Sequence, residues 1–259
     1  MVDKNWTKIF TDGFRGPASP GHHRIWAEVY GDEYPAALDT HSYITVSELD
    51  RMAEDCRLSA GDRLADIGCG RGGPGIWLAA QCDAELIGID IAETALEAAR
   101  EKARTFGLAD RATFRLGSFT DTNSATGSLQ AVMSIDALLF APDKAEALAE
   151  LARITAPGGR LLLTTWDYHT QPYGRPPQLS DHRPVIEAAG FSVLTYAETD
   201  QWRERQYRTN VLMIESVEEL AAEDGRDPAE LLAGLKEMQA TNDCMSRRVY
   251  AVAERRKDS

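Results

Sequence analysis

The feature that most constrains the fold is an alternation of short apolar runs with amphipathic helical stretches, which begins at Arg63. Parallel strands joined by helical crossovers are typical of this pattern. The apolar runs predict seven strands, at residues 63–67, 84–89, 111–117, 129–135, 159–165, 191–197 and 246–253. The stretches between them predict helices at residues 75–82, 92–106, 142–155 and 180–189. We therefore expect an α/β fold with helices on both faces of a doubly wound sheet.

Two segments fall outside this alternation. The first 45 or so residues are rich in glycine, proline and aromatic residues and are predicted to be irregular, until the capping box Thr45-Val46-Ser47-Glu48 begins a helix. A polar, helical stretch from Asp200 to Asn242 precedes the last strand and contains a second capping box at residues 227–230. We divide the chain into an N-terminal lid or helical segment (1–60), a core (61–198), a helical cap inserted before the last strand (199–244), and the last strand with its tail (245–259).

Composition and charge narrow the classes of partner. The 28 Lys and Arg residues against 41 Asp and Glu residues give a formal net charge of -13, which repels nucleic acid and anionic membranes. No run approaches the ~18 apolar residues of a membrane span, and the start Met1-Val2-Asp3-Lys4-Asn5 lacks an apolar signal core, so we expect a cytoplasmic protein. The four cysteines form no C-x-x-C pair, which predicts free thiols and no metal site.

The most informative segment is a glycine-rich loop at residues 68–75, which follows the first predicted strand and leads into a helix. Glycines allow positive φ angles and let a ligand approach the backbone closely. Gly68, Gly70 and Gly73 satisfy the dinucleotide pattern G-x-G-x-x-G, so the loop alone does not choose between nucleotide ligands. Asp90, 22 positions after Gly68 at the end of the next strand, can bind ribose hydroxyls in either case.

Asp66 favours one ligand class over the other. It lies two residues before Gly68, where a carboxylate beside a pyrophosphate would bring like charges together, which disfavours a nicotinamide dehydrogenase. S-Adenosylmethionine instead offers an ammonium group, and a charged hydrogen bond to it is worth roughly 1.5–3 kcal/mol. The alternative is that Asp66 only accepts hydrogen bonds from neighbouring backbone donors.

Residues 66–72 resemble motif I of the class I S-adenosylmethionine-dependent methyltransferases. Residues 86–91, 114–119 and 156–161 resemble three further family segments in the same order and spacing, and the resemblance covers roughly residues 45–198 and the final strand. It implies a Rossmann-like seven-stranded sheet that is mostly parallel with an antiparallel last strand, and S-adenosylmethionine as cofactor. It also implies a set of cofactor-binding residues: Asp66, Gly68, Cys69, Gly70, Asp90, Ile91, Gly117, Ser118, Phe119 and Ile135.

This sequence departs from the family at Ser118, where many relatives carry an acidic residue that receives the adenine amino group. A serine can accept that hydrogen bond only through a neutral hydroxyl. The neighbouring Phe119 either stacks on the adenine ring or packs in the core.

Methyl transfer from a sulfonium is an in-line displacement that depends mainly on orientation, and a base is needed only if the acceptor loses a proton. In open α/β sheets, ligands lie beyond the carboxyl ends of the strands. Asp136, after the fourth predicted strand, and His169, after the fifth, are therefore the catalytic candidates, although Asp136 could instead cap a turn and His169 could face solvent. The predicted substrate-binding residues are His41, Tyr43, Trp166 and Tyr168.

These features predict transfer of a methyl group to O, N or C of a small aromatic or polyketide-like metabolite. The alternative is a protein of the same fold that binds S-adenosylmethionine but acts as a cyclase or a regulator. No Asn/Asp-Pro-Pro-Tyr/Phe run follows the fourth strand, which argues against nucleic-acid bases as acceptors. The partner we expect is a small-molecule acceptor, and whether the chain forms a homo-oligomer stays open.

Overall fold

The computed structural model describes residues 4–257, so residues 1–3 and 258–259 of the predicted terminal segments lie outside it. A single seven-stranded sheet has the order β3-β2-β1-β4-β5-β7-β6. The strands are β1 (Arg63–Ile67), β2 (Glu85–Asp90), β3 (Ala112–Leu116), β4 (Leu129–Ile135), β5 (Thr155–Tyr168), β6 (Phe191–Glu198) and β7 (Met245–Arg255). Only β7 runs antiparallel to its neighbours, β5 and β6, which confirms the predicted fold class.

Ten α-helices surround this sheet within the described residues. They are α1 (Trp6–Gly13), α2 (Pro20–Tyr30), α3 (Val46–Asp55), α4 (Gly73–Cys82), α5 (Glu93–Thr105), α6 (Lys144–Ile154), α7 (Arg183–Ala188), α8 (Trp202–Glu215), α9 (Val217–Asp224) and α10 (Pro228–Asn242). The predicted capping box begins α3: the Glu48 amide donates to the Thr45 hydroxyl, and the Thr45 amide donates to the Glu48 carboxylate, both at 3.1 Å. No helix in this part of the chain combines the length and apolarity needed to cross a bilayer.

The strands of the sheet centre are buried on both faces. Alternate residues of β1 show this, because Leu64 packs in one core cluster with α4 and α5, whereas Ala65 packs in the opposite cluster with α6. Burial on both faces explains why these strands appear in the sequence as nearly continuous apolar runs.

The N-terminal segment is more regular than predicted, because α1 and α2 lie inside the stretch expected to be irregular. The hydroxyl of Ser19 accepts from the amide of His22, and Pro20 occupies the first turn of α2, a standard start signal for a helix. Helix α2 packs against α8 and α9, so a third apolar cluster joins the N-terminal segment to the helices before the last strand.

Strand β5 is longer than predicted, at Thr155–Tyr168 instead of 159–165. The Pro157-Gly158-Gly159 turn expected before it forms an irregularity within it, where the register with β4 shifts and Gly158 has a φ of 81°. At the other end, β7 extends the pairing as far as Tyr168, which faces Met245. Trp166 and Tyr168 are therefore strand residues and not the loop residues that the sequence predicted.

Candidate active site

A cavity of about 610 Å³ opens at the carboxyl ends of β1, β2 and β4 and continues beneath α1, α2 and α10. We call its two parts the loop end and the cap end. The loop end is lined by Asp66, Gly68, Cys69, Gly70, Asp90, Ile91, Gly117, Ser118, Phe119 and Ile135. The cap end is lined chiefly by aromatic and methionine side chains, namely Trp6, Phe10, Trp26, Tyr43, Phe140, Trp166, Met213, Met238 and Met245.

The glycine loop passes tightly between its neighbours. Gly68 has a φ of 73°, and a Cβ added there would lie 2.6 Å from the Cβ of Ala137. The Gly68 amide donates to the carbonyl of Ile89 at 2.8 Å, and the Gly70 amide donates to the Asp90 carboxylate at 2.8 Å. Only glycine combines this backbone conformation with this clearance, so the loop brings its backbone to the cavity surface.

Asp66 presents a buried carboxylate that is only partly satisfied. The side chain is 2% exposed, and a backbone hydrogen bond from Gly75 reaches it, but Oδ1 has no hydrogen-bond partner among residues 4–257. Burial, reinforced by the nearby Asp90, raises the pKa of Asp66 to about 7. A buried carboxylate oxygen without a donor is costly, and a cationic ligand group removes that cost. The alternative in which Asp66 only accepts hydrogen bonds from backbone donors therefore leaves one of its two oxygens without a partner.

Asp90 sits at the end of β2 with both oxygens already accepting from the backbone. Oδ2 accepts from Gly70 and Oδ1 from Ala92, at 2.8 and 2.9 Å. Burial is the main cause that raises its pKa. A carboxylate has about four acceptor positions, and the backbone of Ile91 also reaches this one, so Asp90 retains capacity for a ligand hydroxyl.

The remaining residues of the loop end are neutral. Ser118 lines the cavity, but its hydroxyl already accepts from the amides of Thr120 and Asp121, at 3.3 and 3.1 Å. Burial raises the pKa of the Cys69 thiol well above its ordinary value, so it contributes packing and not a thiolate. Phe119 lies near the Gly68 position and offers an apolar surface.

These residues fit S-adenosylmethionine. The free oxygen of Asp66 suits the ammonium of its methionine part, Asp90 suits its ribose hydroxyls, and Ile91 with Phe119 suits its adenine. A diphosphate would meet two carboxylates in the same place, which Coulomb repulsion disfavours.

His22 and His41 both line the cavity. His22, from the first turn of α2, stacks on Trp26 with a 3.9 Å centroid distance and a 12° interplanar angle, and His41 lies 6.3 Å from His22. The surrounding protein lowers the pKa of His22 to about 3 and that of His41 to about 4, mainly through desolvation. Both imidazoles are neutral at physiological pH. The sequence analysis predicted His41 as a site residue but not His22. The one feature that could have indicated His22 is its i,i+4 spacing to Trp26, which places both side chains on the same face of a helix.

Asp136 lines the cavity, as predicted, but its carboxylate is fully engaged. Arg248 donates to both oxygens at 3.1 Å, the amide of Tyr43 donates to Oδ2 at 2.8 Å, and the Thr164 hydroxyl donates to Oδ1 at 2.8 Å. Arg248 is 1% exposed and also donates to Glu48 at 2.6 Å. With four donors around it, Asp136 is placed to position the Tyr43 segment, not to accept a proton.

His169 and Tyr168 do not line the cavity. His169 is exposed, with Nε2 2.9 Å from the carbonyl of Asp243 and Nδ1 2.9 Å from the hydroxyl of Thr170. Tyr168 is buried against Trp202. The cause is the extension of β5, which carries these residues past the strand ends that border the cavity. We therefore withdraw His169 as the base and Tyr168 as a substrate contact, while Tyr43, His41 and Trp166 do line the cavity.

Comparison with known proteins agrees with this geometry. A family model described as a methyltransferase domain matches residues 64–159. A curated relative, 27-O-demethylrifamycin SV methyltransferase of Amycolatopsis mediterranei, is 30% identical over 182 residues, which cover 70% of this chain and 62% of the relative. The chain spans 46 to 62% of the length of the first curated relatives that it matches.

Solved structures share the fold at low sequence identity. Geranyl diphosphate C-methyltransferase from Streptomyces coelicolor A3(2), which holds S-adenosyl-L-homocysteine, has a TM-score of 0.67 and 16% identity, covering 98% of this chain and 99% of that one. The cyclase SpnF has a TM-score of 0.70 and 22% identity, covering 83% and 84%. Residues 64–159 thus carry a methyltransferase domain, and the sheet order and the glycine loop with Asp66 are those expected of the class I S-adenosylmethionine-dependent methyltransferases.

Proposed function

We propose that this chain transfers the methyl group of S-adenosylmethionine to a hydroxyl oxygen of a small aromatic or polyketide-like molecule. The observation that carries the proposal is one continuous cavity that joins the unsatisfied Asp66 carboxylate to an aromatic chamber at the cap end. Apolar walls with a few convergent polar groups are the usual form of a small-molecule site. The relative from Amycolatopsis mediterranei, named for an O-demethylated compound, supports oxygen as the acceptor atom.

Oxygen is also favoured by the protonation states of side chains in the cavity wall. A hydroxyl loses its proton as the new C–O bond forms, when its oxygen becomes strongly acidic, so even an imidazole of low basicity can accept that proton. His22 and His41 are both neutral and both line the cavity. A cationic amine acceptor would need a free carboxylate, whereas Asp136 in the cavity wall is occupied by Arg248, and Asp66 and Asp90 are assigned to the cofactor.

The chain's own residues supply positioning and exclusion of water. Once bound, S-adenosylmethionine supplies an electrophilic methyl group whose leaving group is already activated by positive charge. Asp66 and Asp90 fix the ligand at the loop end, and the aromatic cap end holds the acceptor against it. Alignment of this kind provides much of the ~7–11 kcal/mol available from proximity. His22 or His41 takes the hydroxyl proton.

The test is transfer of label from methyl-labelled S-adenosylmethionine to a panel of phenols, aliphatic polyketide alcohols, amines and enols. We expect labelled methyl ethers from the first two groups. The Asp66→Asn variant is the matched control, because it keeps the shape of the side chain but removes its charge.

Label on nitrogen or carbon alone would contradict the assignment to oxygen. Binding of S-adenosylhomocysteine without transfer to any acceptor would instead favour the cyclase or regulator alternative.

A further inference from the structure

Arg175 is a cation at the cap end that the methyl-transfer mechanism does not use. It lies in the loop between β5 and α7 and lines the cavity. Its guanidinium stacks over two aromatic rings, 4.9 Å from the centroid of Trp6 and 5.5 Å from that of Phe140. Aromatic faces hold a guanidinium in a fixed plane and leave its edge free for hydrogen bonds.

This guanidinium makes no ion pair and no side-chain hydrogen bond among residues 4–257, and its Nε is fully buried without a partner. The other cations of the cavity wall are matched: Lys4 pairs with Glu237, and Arg71 lies 3.6 Å from Asp39. Burial of a charge without a partner is costly. Glu237 lies near Arg175, but that carboxylate pairs with Lys4, so Arg175 is the cavity cation without a carboxylate of its own.

The loop that carries Arg175 is held in place by Gln171. The side-chain amide of Gln171 donates to the carbonyls of Pro172, Arg175 and Pro176 at 3.1 to 3.2 Å. Its oxygen accepts from the amide of Gln178 at 2.9 Å. These bonds fix the backbone at Arg175 itself, so the guanidinium belongs to a preorganised site and not to a freely moving surface loop.

We propose that Arg175 binds an oxyanion carried by the acceptor, so that the substrate class is an aromatic or polyketide-like hydroxy compound bearing a carboxylate or a phosphate ester. This inference rests on the proposed function and names the acceptor more closely. A planar guanidinium edge matches both oxyanions through paired hydrogen bonds. Because the whole chain carries a net charge of -13, an anionic acceptor is not attracted by the overall field and depends on such a local cation.

The experiment measures binding of three probes by calorimetry, with S-adenosylhomocysteine present: 1-naphthoate, 1-naphthyl phosphate and the neutral 1-naphthamide. We expect one or both anions to bind about 10- to 100-fold more tightly than the amide, as for charged hydrogen bonds. The Arg175→Gln variant should lose this preference, and Arg175→Lys should keep part of it. The anion that binds more tightly relative to the amide shows whether the acceptor carries a carboxylate or a phosphate ester.

Arg104→Gln is the control, since Arg104 pairs with Glu101 on the exposed face of α5 and should leave every affinity unchanged. Equal binding of the three probes, no binding of either anion, or an unchanged preference in Arg175→Gln would overturn the inference. Affinity for S-adenosylhomocysteine is measured separately. If it is normal while the anion preference is absent, only Arg175 is misassigned; if it is absent too, the proposed function fails.

Discussion

At the scale of single residues, we expect cofactor binding to be coupled to the loss of a proton from Asp66. Its pKa is raised to about 7 in the cofactor-free chain, so a substantial fraction of the carboxyl groups is protonated at neutral pH. An ammonium group beside it favours the charged form and lowers the pKa. Cofactor binding at pH 7 should therefore release protons, and calorimetric enthalpies should vary with the ionisation enthalpy of the buffer.

The Asp66→Asn variant tests the same linkage. It should bind S-adenosylhomocysteine at least about 10-fold more weakly, as expected for loss of a charged hydrogen bond, and it should show no buffer dependence. A wild-type enthalpy that is identical in phosphate and Tris buffers would show that Asp66 is already ionised before binding.

The histidines make a second prediction at this scale, which concerns pH. A lowered pKa means that the neutral imidazole, the form that accepts a proton, persists as the pH falls from 8 to about 5. An ordinary histidine would lose activity near its pKa of ~6.5. Cofactor is kept saturating so that the protonation of Asp66 does not affect the rate. We expect kcat to stay level from pH 8 to about 5 and to fall only as the pH approaches about 4.

Substitution separates the two imidazoles. Replacing the residue that takes the proton, by His22→Gln or His41→Gln, should lower kcat by about 10²-fold, and the other variant should change it far less. A fall in kcat centred near pH 6.5 would contradict this prediction, because it would mean that the histidines are exposed to water and keep an ordinary pKa.

The residues that could be predicted from sequence are those whose partners lie close in the chain. Asp66 and Asp90 lie at the carboxyl ends of β1 and β2 and Gly68 directly follows β1, and the parallel pairing of these two neighbouring strands brings them together. His22 and Arg175 could not be found in this way, because folding brings them to the cavity from loops and helices far from the glycine motif. His169 was misplaced for a related reason, since the length of β5 depends on its pairing with β7.

At the scale of elements, Arg248 joins three parts of the fold. From β7 it donates to Asp136 after β4 and to Glu48 in α3, while almost fully buried. Removing one partner of a buried ion pair leaves an uncompensated charge and costs about 3–5 kcal/mol. Arg248→Met should lower the free energy of unfolding by that amount, measured by urea denaturation.

A double-mutant cycle with Asp136→Asn provides the control for this prediction. The two substitutions should be non-additive by about 0.5–3 kcal/mol, because each removes the same contact. If Arg248→Met costs less than about 1 kcal/mol, the network contributes little to stability. Sequence could not reveal the pair, since Asp136 and Arg248 are 112 residues apart and no local pattern connects them.

At the scale of the whole molecule, the sheet builds the loop end and the N-terminal and late helices build the cap end. The alternation of strands and helices predicted the first part well. The second part depends on α2 packing with α8 and α9, an association of distant segments that periodicity does not encode. This division predicts that the two ends can be altered independently.

A matched pair of substitutions tests this independence. Gly68→Ala places a Cβ 2.6 Å from Ala137 at a positive φ, so it should weaken S-adenosylhomocysteine binding about 10-fold or more. Met238→Trp adds bulk beside Tyr43 at the cap end, where the Met238 sulfur lies 3.7 Å from the tyrosine hydroxyl. It should leave cofactor affinity within about twofold but lower kcat/KM for the acceptor at least about 10-fold, because apolar space for the acceptor is lost. Equal loss of cofactor affinity in both variants would show that the two ends form a single, coupled site.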